Sequence, residues 1–430
     1  MKVKNISFLL SAVIAVSFFS FNFTSCSTTK KETVSENKGV LRQPVAQEKP
    51  AQVFNGRNND VVKDDRVPEV SYITPQADSV VEITINLVGD LMCHMPQATN
   101  SKTATGYDFN PSFEFVKDYL NNADITMGNL ELTTAGSRVP LSGYPAFNAP
   151  DEYIPALKDN GFDFLVTSNN HSMDTGEEGL LRTIEQVKKN NLGYTGTFIS
   201  QKDHDSIRVL NIKGIRVAVL NYTYGTNGAY PQADHKYMLN VIDSATITNE
   251  VKRARALNPD FVLVFYHYGV EYAAEPIETQ RKAVEWARAA GATLLIGGHP
   301  HVVGPCKFLP PDAKHPDTAF VAWSLGNFFS NQNKRYTDAG VIVTIHLQKN
   351  FTQNTKRIAK AEFFPTWVYR GEKTENKRHI IFPAEIYSKK EKIPAYLDSS
   401  LVQKMKQAYE DTRAIINKYG PNTAQKQFKP

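Results

Sequence analysis

Two histidines separated by one proline, His299-Pro300-His301, follow the apolar run Leu294-Leu295-Ile296 and the pair Gly297-Gly298. The apolar run reads as a short buried strand. In an extended segment, side chains at i and i+2 point the same way. The two imidazoles are therefore expected to enter one pocket, with Pro300 stiffening the spacer. Neutral imidazole is the commonest protein ligand for a metal. The bland alternative is a polar loop carrying two unrelated histidines.

Other strand-like runs end in the same kind of side chain. Val81 to Gly89 is followed by Asp90, and Ala123 to Gly128 by Asn129-Leu130-Glu131. Phe162 to Thr167 leads into Asn170, His171 and Asp174, and Phe261 to Tyr266 into His267. Any one of these is more simply a hydrogen-bonded structural residue. As a set, Asp90, Glu131, Asn170, His171, His267, His299 and His301 put nitrogen and oxygen donors at five strand ends. A divalent pair held about 3.5–4 Å apart by imidazole and carboxylate acidifies a water and clamps an anionic or carbonyl oxygen. The ligand mixture suits Zn, Mn or Fe better than Ca. A single-metal site is compatible with the same donors. No Gly-x-Ser-x-Gly elbow precedes a helix, and no Gly-rich phosphate loop with lysine is present. Cys93 beside His94 is a poor thiol–base pair, because adjacent residues seldom face each other.

The elements that must carry these residues alternate. Helices are expected at Pro111 to Asn121, Asp151 to Asp159, Glu177 to Asn190, Thr246 to Leu257 and Pro276 to Ala289, between the strands. Ile207 to Ile212 and Ile215 to Tyr222 form a hairpin across Lys213-Gly214. Phe320 to Ser324 and Gly340 to Leu347 are further strands, and Leu401 to Lys418 a terminal helix. The class is α/β (α+β), with ligand positions beyond the carboxyl ends of strands.

The chain of 430 residues has a formal net charge of +5 and no basic stripe interleaved with aromatics, which argues against nucleic acid as a partner. Lys2 and Lys4, the apolar stretch Ile6 to Phe21 and the ending Thr24-Ser25-Cys26 have the layout of a secretory signal. It resembles a bacterial lipoprotein signal, in which Cys26 becomes the lipidated first residue and ties the protein to a membrane. The expected organisation is a signal peptide over 1–25, a polar tether over 26–80, a catalytic-type domain over 81–350 and an extension over 351–430 that packs on it. Cys93 and Cys306 either pair in an oxidising compartment or stay as buried thiols.

Together the segments VGDLM (Val88–Met92), GNLE (Gly128–Glu131), SNNHSMDTGEEGL (Ser168–Leu180), HYGVEY (His267–Tyr272), GGHPHVV (Gly297–Val303) and SLGNF (Ser324–Phe328) resemble the CapA family of capsule or poly-gamma-glutamate biosynthesis proteins. That family is similar in fold to the calcineurin-like metallophosphatases. The resemblance implies a four-layer α/β/β/α sandwich with two divalent ions. It implies metal ligation by Asp90, Glu131, Asn170, His267, His299 and His301, with His171 as the acid for the leaving group and Asp174 orienting it. Glu271 would support the ligands from outside. Two departures are visible. Met92 stands where the phosphoesterase pattern has histidine, leaving His94 out of register, and Gly128-Asn129-Leu130-Glu131 replaces Gly-Asp. The implied protein is an envelope lipoprotein that hydrolyses a capsule polymer or its lipid-linked precursor, working with capsule-synthesis machinery. The rivals are a non-enzymatic assembly or binding component with a retained metal site, and a gamma-glutamyl amide hydrolase. If Cys26 carries the anchor, Cys26→Ser will move the protein from the membrane pellet to the soluble fraction and abolish fatty-acid labelling.

Overall fold

The computed structural model describes residues 52–55, 79–419 and 424–425. The expected signal peptide and Cys26 lie outside them. Two sheets make up the frame. The seven-stranded sheet runs Gln52–Asn55, Arg208–Ile212, Ile215–Thr223, Phe261–His267, Leu294–Gly298, Ala319–Ala322, Cys306–Leu309. The nine-stranded sheet runs His379–Pro383, Thr355–Arg370, Ala339–Asn350, Val80–Leu91, Ile125–Leu130, Phe164–Val166, Gly193–Thr195, with Asn327–Phe329 and Ala424–Gln425 attached beside this path.

Alternation along the strands decides which layer each residue joins. On Phe261–His267, Phe261, Leu263 and Phe265 enter the apolar layer between the sheets, while Val262, Val264 and Tyr266 face outward. Both faces are covered, so the strand reads as one unbroken apolar run. The inner layer joins Ile83, Ile85 and Leu87 of one sheet to Val217, Val219 and Ile296 of the other. On the outside of the seven-stranded sheet, Ile247 and Val251 of helix Ser244–Ala256 pack with Ala283 and Val284 of helix Glu278–Ala289. On the outside of the nine-stranded sheet sit Ile154 and Leu157 of helix Tyr153–Asp159, and Leu180, Ile184 and Val187 of helix Gly176–Lys189. The architecture is the four-layer helix/sheet/sheet/helix sandwich expected.

Parallel pairing runs through the centre of both sheets: Val80–Leu91, Ile125–Leu130 and Phe164–Val166 in one, Ile215–Thr223, Phe261–His267 and Leu294–Gly298 in the other. Their carboxyl ends lie at a common edge. Register shifts between Val88 and Asp90. Leu87 belongs to the layer between the sheets, whereas Val88 and Leu91 both belong to the outer one. This bulge reverses the alternation and turns Asp90 away from the outer face that strict alternation would give it. Gly89 permits it, because a Cβ there would lie 1.9 Å from the Gly326 carbonyl oxygen. The Asp90 N–H donates to that same oxygen at 2.9 Å.

Several expectations shift in detail. Within the proposed tether, Gln52–Asn55 pairs in parallel with residues 208–211 and supplies an edge strand. The proposed boundary at 350 falls at the turn of a hairpin: Ala339–Asn350 pairs antiparallel with Thr355–Arg370, so residues beyond 350 complete the nine-stranded sheet. Helix Ser399–Ile416 then packs Leu401, Met405 and Tyr409 onto Trp367, Tyr369 and Phe382. The single helix expected over residues 111–121 is a 3-10 turn, Asn110–Phe113, followed by a short helix, Lys117–Asn121. The 207–222 hairpin is as expected, with Lys213 and Gly214 at φ 49° and 84°. Cys93 and Cys306 are not paired. They sit in different apolar layers, and burial raises both thiols, that of Cys306 to about 12. Among the described residues no helix is long and apolar enough to cross a membrane.

Because the bulge needs a bare Cα, Gly89→Ala should lower the unfolding free energy by about 1–3 kcal/mol, read as a lower urea midpoint.

Candidate metal centre

Asp90, Glu131, Asn170, His267, His299 and His301 converge where the parallel strands of the two sheets end. All six are buried. One oxygen of Glu131 and one nitrogen each of His267 and His299 lie within 4.8 Å of one another, as do single donor atoms of Asp90, Glu131 and His301. Glu131 belongs to both groups. His267 Nε2 is 3.5 Å from Glu131 Oε1 and 2.6 Å from Asn170 Oδ1. His301 Nε2 is 3.8 Å from Glu131 Oε1, and its Nδ1 is 3.1 Å from both Asp90 Oδ2 and Asn327 Oδ1.

Local backbone aims these groups. The extended His-Pro-His geometry expected from spacing is not what forms. His299 and His301 are both left-handed, at φ 95° and 58°. Such conformations cost about 1–3 kcal/mol each in a non-glycine residue and gather at functional sites. They bring the rings to 5.9 Å between centroids, and His299 to 4.8 Å from His267. Gly298 keeps the approach open, since a Cβ there would meet Asp90 Oδ1 at 2.8 Å.

Three amides outside the expected ligand set also bear on the site. Asn129 Nδ2 donates to Asp90 Oδ1 (2.9 Å) and Glu131 Oε2 (3.3 Å) and approaches His267 Nδ1 (3.1 Å). Asn169 Nδ2 in turn donates to Asn129 Oδ1 at 3.2 Å and to the Leu130 carbonyl at 2.7 Å. Asn327 reaches His301. The signal for Asn129 was present in its i, i+2 relation to Glu131. Asn327 lies in the SLGNF segment, but its contact with His301 comes from a strand joined only in space.

Burial disfavours charge on the imidazoles. It drives His267 well below its ordinary value and His299 to about 3, with the other histidines adding to the effect. Both are thus held neutral, the form that binds a cation. Glu131 is pushed well above the usual carboxylate range by burial and by the Asp90 charge. Burial also raises Asp90, but hydrogen bonding and charge from His301, with the Asn129 bond, bring it below its ordinary value. Two buried atoms, Glu131 Oε1 and His299 Nδ1, have no hydrogen-bond partner. A cation would satisfy both, so these residues fit the metal that the donor set implies.

His171 follows Asn170 directly. Its Nδ1 is 2.6 Å from Asp174 Oδ2, which also accepts the Phe147 N–H at 2.6 Å. The imidazole stands edge-on to the Phe147 ring at 4.7 Å. Glu271 is exposed and lies beside Tyr272, and its charge contributes to raising Glu131.

The sequence profile of the bacterial capsule synthesis protein PGA_cap family matches residues 84–332. The chain belongs to that family. All eight expected site residues fall inside the matched PGA_cap region. The capsule biosynthesis protein CapA of Bacillus anthracis is 29% identical over 286 residues, 63% of this chain and 65% of that protein. The PGA biosynthesis protein CapA of Bacillus subtilis (strain 168) is 26% identical over 289 residues, 66% of this chain and 72% of that protein. This PGA_cap chain therefore spans just under two thirds of the B. anthracis relative. Among solved structures, NAD nucleotidase (NadN) of Haemophilus influenzae superposes with a TM-score of 0.43 at 12% identity, covering 81% of this chain and 58% of that one.

If Glu131 serves both groups, Glu131→Gln will strip metal from the whole centre, whereas Asn129→Leu will weaken metal affinity by about 10–100-fold. Elemental analysis of purified protein equilibrated with Mn, Zn or Fe reads both.

Proposed function

We propose that this protein is a metal-dependent hydrolase of the cell envelope that acts on a capsule polymer or its lipid-linked precursor. The observation that carries the reading is the pair of donor groups sharing Glu131, with Glu131 Oε1 and His299 Nδ1 buried and unsatisfied. Membership of the PGA_cap family supports the capsule context. The lipoprotein layout ending at Cys26 supports a membrane tether.

In this reading Glu131, His267, His299 and Asn170 would hold one divalent ion, and Asp90, Glu131 and His301 would hold a second. When bound, such ions supply Lewis acidity at an anionic or carbonyl oxygen and a water acidified toward neutral pH. The chain's own residues do the rest. Asp174 accepts a hydrogen bond from the Nδ1–H of His171 and so orients the ring; in the imidazolium form His171 carries a second proton, on Nε2, which is the mobile one. His171 then delivers that proton to the departing oxygen or nitrogen as general acid. The Phe147 N–H and ring keep the Asp174–His171 pair from rotating.

The test pairs metal content with turnover on purified full-length protein. Metal-loaded enzyme should hydrolyse a phosphodiester such as bis-p-nitrophenyl phosphate. His171→Ala should lower kcat by about 10²–10⁴-fold with metal content unchanged. Turnover of poly-gamma-glutamate but not of the phosphodiester would make the enzyme an amide hydrolase. Full metal content with hydrolysis of neither would leave a binding component of capsule assembly.

A further inference from the structure

Asn170 is a ligand with two unlike ends. Its Oδ1 can bind a cation, whereas its Nδ2 can only donate hydrogen bonds. The two ends are nearly equal in size, so packing by itself does not choose which one faces the centre. In this structure Oδ1 lies 2.6 Å from His267 Nε2, inside the donor cluster, and Nδ2 donates to Asn227 Oδ1 at 3.3 Å. Asn227 stands 57 residues further along the chain and has no part in the chemistry derived so far.

Asn227 belongs to the connection between strand Ile215–Thr223 and the 3-10 turn Lys236–Met238. The connection is pinned in three places. At its start the Tyr224 N–H donates to the His267 carbonyl at 2.9 Å. Next, the Asn227 N–H donates to the Asn170 carbonyl at 3.2 Å, and Asn227 Nδ2 lies 3.3 Å from His171 Nδ1. Further on, Glu177 accepts the Gln232 N–H at 2.6 Å and meets His235 Nδ1 at 2.8 Å. Between these last two anchors residues 227–230 are exposed. An exposed residue thus reaches a buried one through its backbone and its side chain together. Its backbone bond sets Asn227 Oδ1 where Asn170 Nδ2 finds an acceptor.

His267 cannot hold the Asn170 amide in place once it ligates, because the nitrogen that faces Asn170 would then be given to the cation. Turned round, Asn170 would aim its N–H protons at the position a cation needs. Resting on the metal centre of the reading above, we propose that Asn227 is a positioning residue for that centre. Its Oδ1 holds the Asn170 amide nitrogen and so keeps Asn170 Oδ1 turned inward, as outer partners orient metal ligands elsewhere.

The test is a double-mutant cycle on metal affinity, with metal-free full-length protein titrated calorimetrically with Mn²⁺. Asn227→Leu, similar in size but without an acceptor, should weaken binding by about 10–100-fold. Asn227→Asp, which keeps an acceptor, should bind at least as well as the unchanged protein. Asn170→Ala should weaken binding by no less than Asn227→Leu does. The double variant Asn170→Ala/Asn227→Leu should bind as Asn170→Ala alone, because a residue that acts through another adds nothing once the other is gone. Asn227 is exposed, so the urea midpoint of the metal-free protein should not move in Asn227→Leu, which separates loss of metal from loss of fold. Unchanged affinity in Asn227→Leu, equal loss in the Leu and Asp variants, or losses that add in the double variant would each overturn the proposal. The outcome is separable from the hydrolase reading. The expected cycle without any turnover keeps the role of Asn227 and removes the enzyme. Turnover with native Mn²⁺ affinity in Asn227→Leu does the reverse.

Discussion

A carboxylate with no room to be comfortable governs this molecule. Glu131 is fully buried, close to a second buried carboxylate at Asp90 and to neutral imidazoles, and its Oε1 has no hydrogen-bond partner. Charge in such a place is costly unless an opposite charge or a metal offsets it. The imidazoles cannot easily serve, since burial holds His267 and His299 neutral. A positive ion between the carboxylates would offset that charge, and the strand ends and turns around the cluster hold its donors facing one another.

The scaffold meets the demand by rigidity. Two sheets share one apolar layer, and their central parallel strands end at one edge. A donor can therefore be delivered from each strand end without a long loop. The bulge at Gly89 reverses one alternation to bring Asp90 in, and the left-handed turn at His299 and His301 brings in two imidazoles. Asn221 ties the sheets where the donors meet: its Oδ1 accepts the Ser168 N–H at 2.6 Å, and its Nδ2 donates to the Phe265 carbonyl at 3.2 Å. The loop after one sheet's strand is thus fixed against a strand of the other.

The layer behind the donors is made of amides. Asn129, Asn169 and Asn327 orient charged and ring groups while contributing no net charge themselves. Additional acids there would deepen the repulsion already present between Asp90 and Glu131. Additional bases would compete with a bound cation for the same oxygens. Amides satisfy directional bonding in a buried site and leave the charge balance to the ligands. The result separates tasks: Asn129, Asn169 and Asn327 position, and the groups they orient bind.

How much of this was written in the chain depends on the range of the cause. Alternating apolar runs are local, so the strands, most helices and the Lys213-Gly214 turn were readable from residue order, and so was the pattern of a donor after each central strand. Six expected ligands converge because a parallel sheet brings strand ends together whatever the residues between them. The exceptions trace to non-local causes. The edge strand Gln52–Asn55 exists where Arg208–Ile212 offers an open edge, and residues past 350 join the sheet because Ala339–Asn350 offers another. Cys93 and Cys306 followed similar motifs, but opposite faces of one sheet separate them into different layers. Asn327 gained its role by meeting His301 across 26 residues of chain. Sequence by itself determined the donor types and the strand ends that carry them. Only the packing of two sheets decided which donors share Glu131 and which atoms are left unpartnered, because those are distances between segments that no local preference encodes.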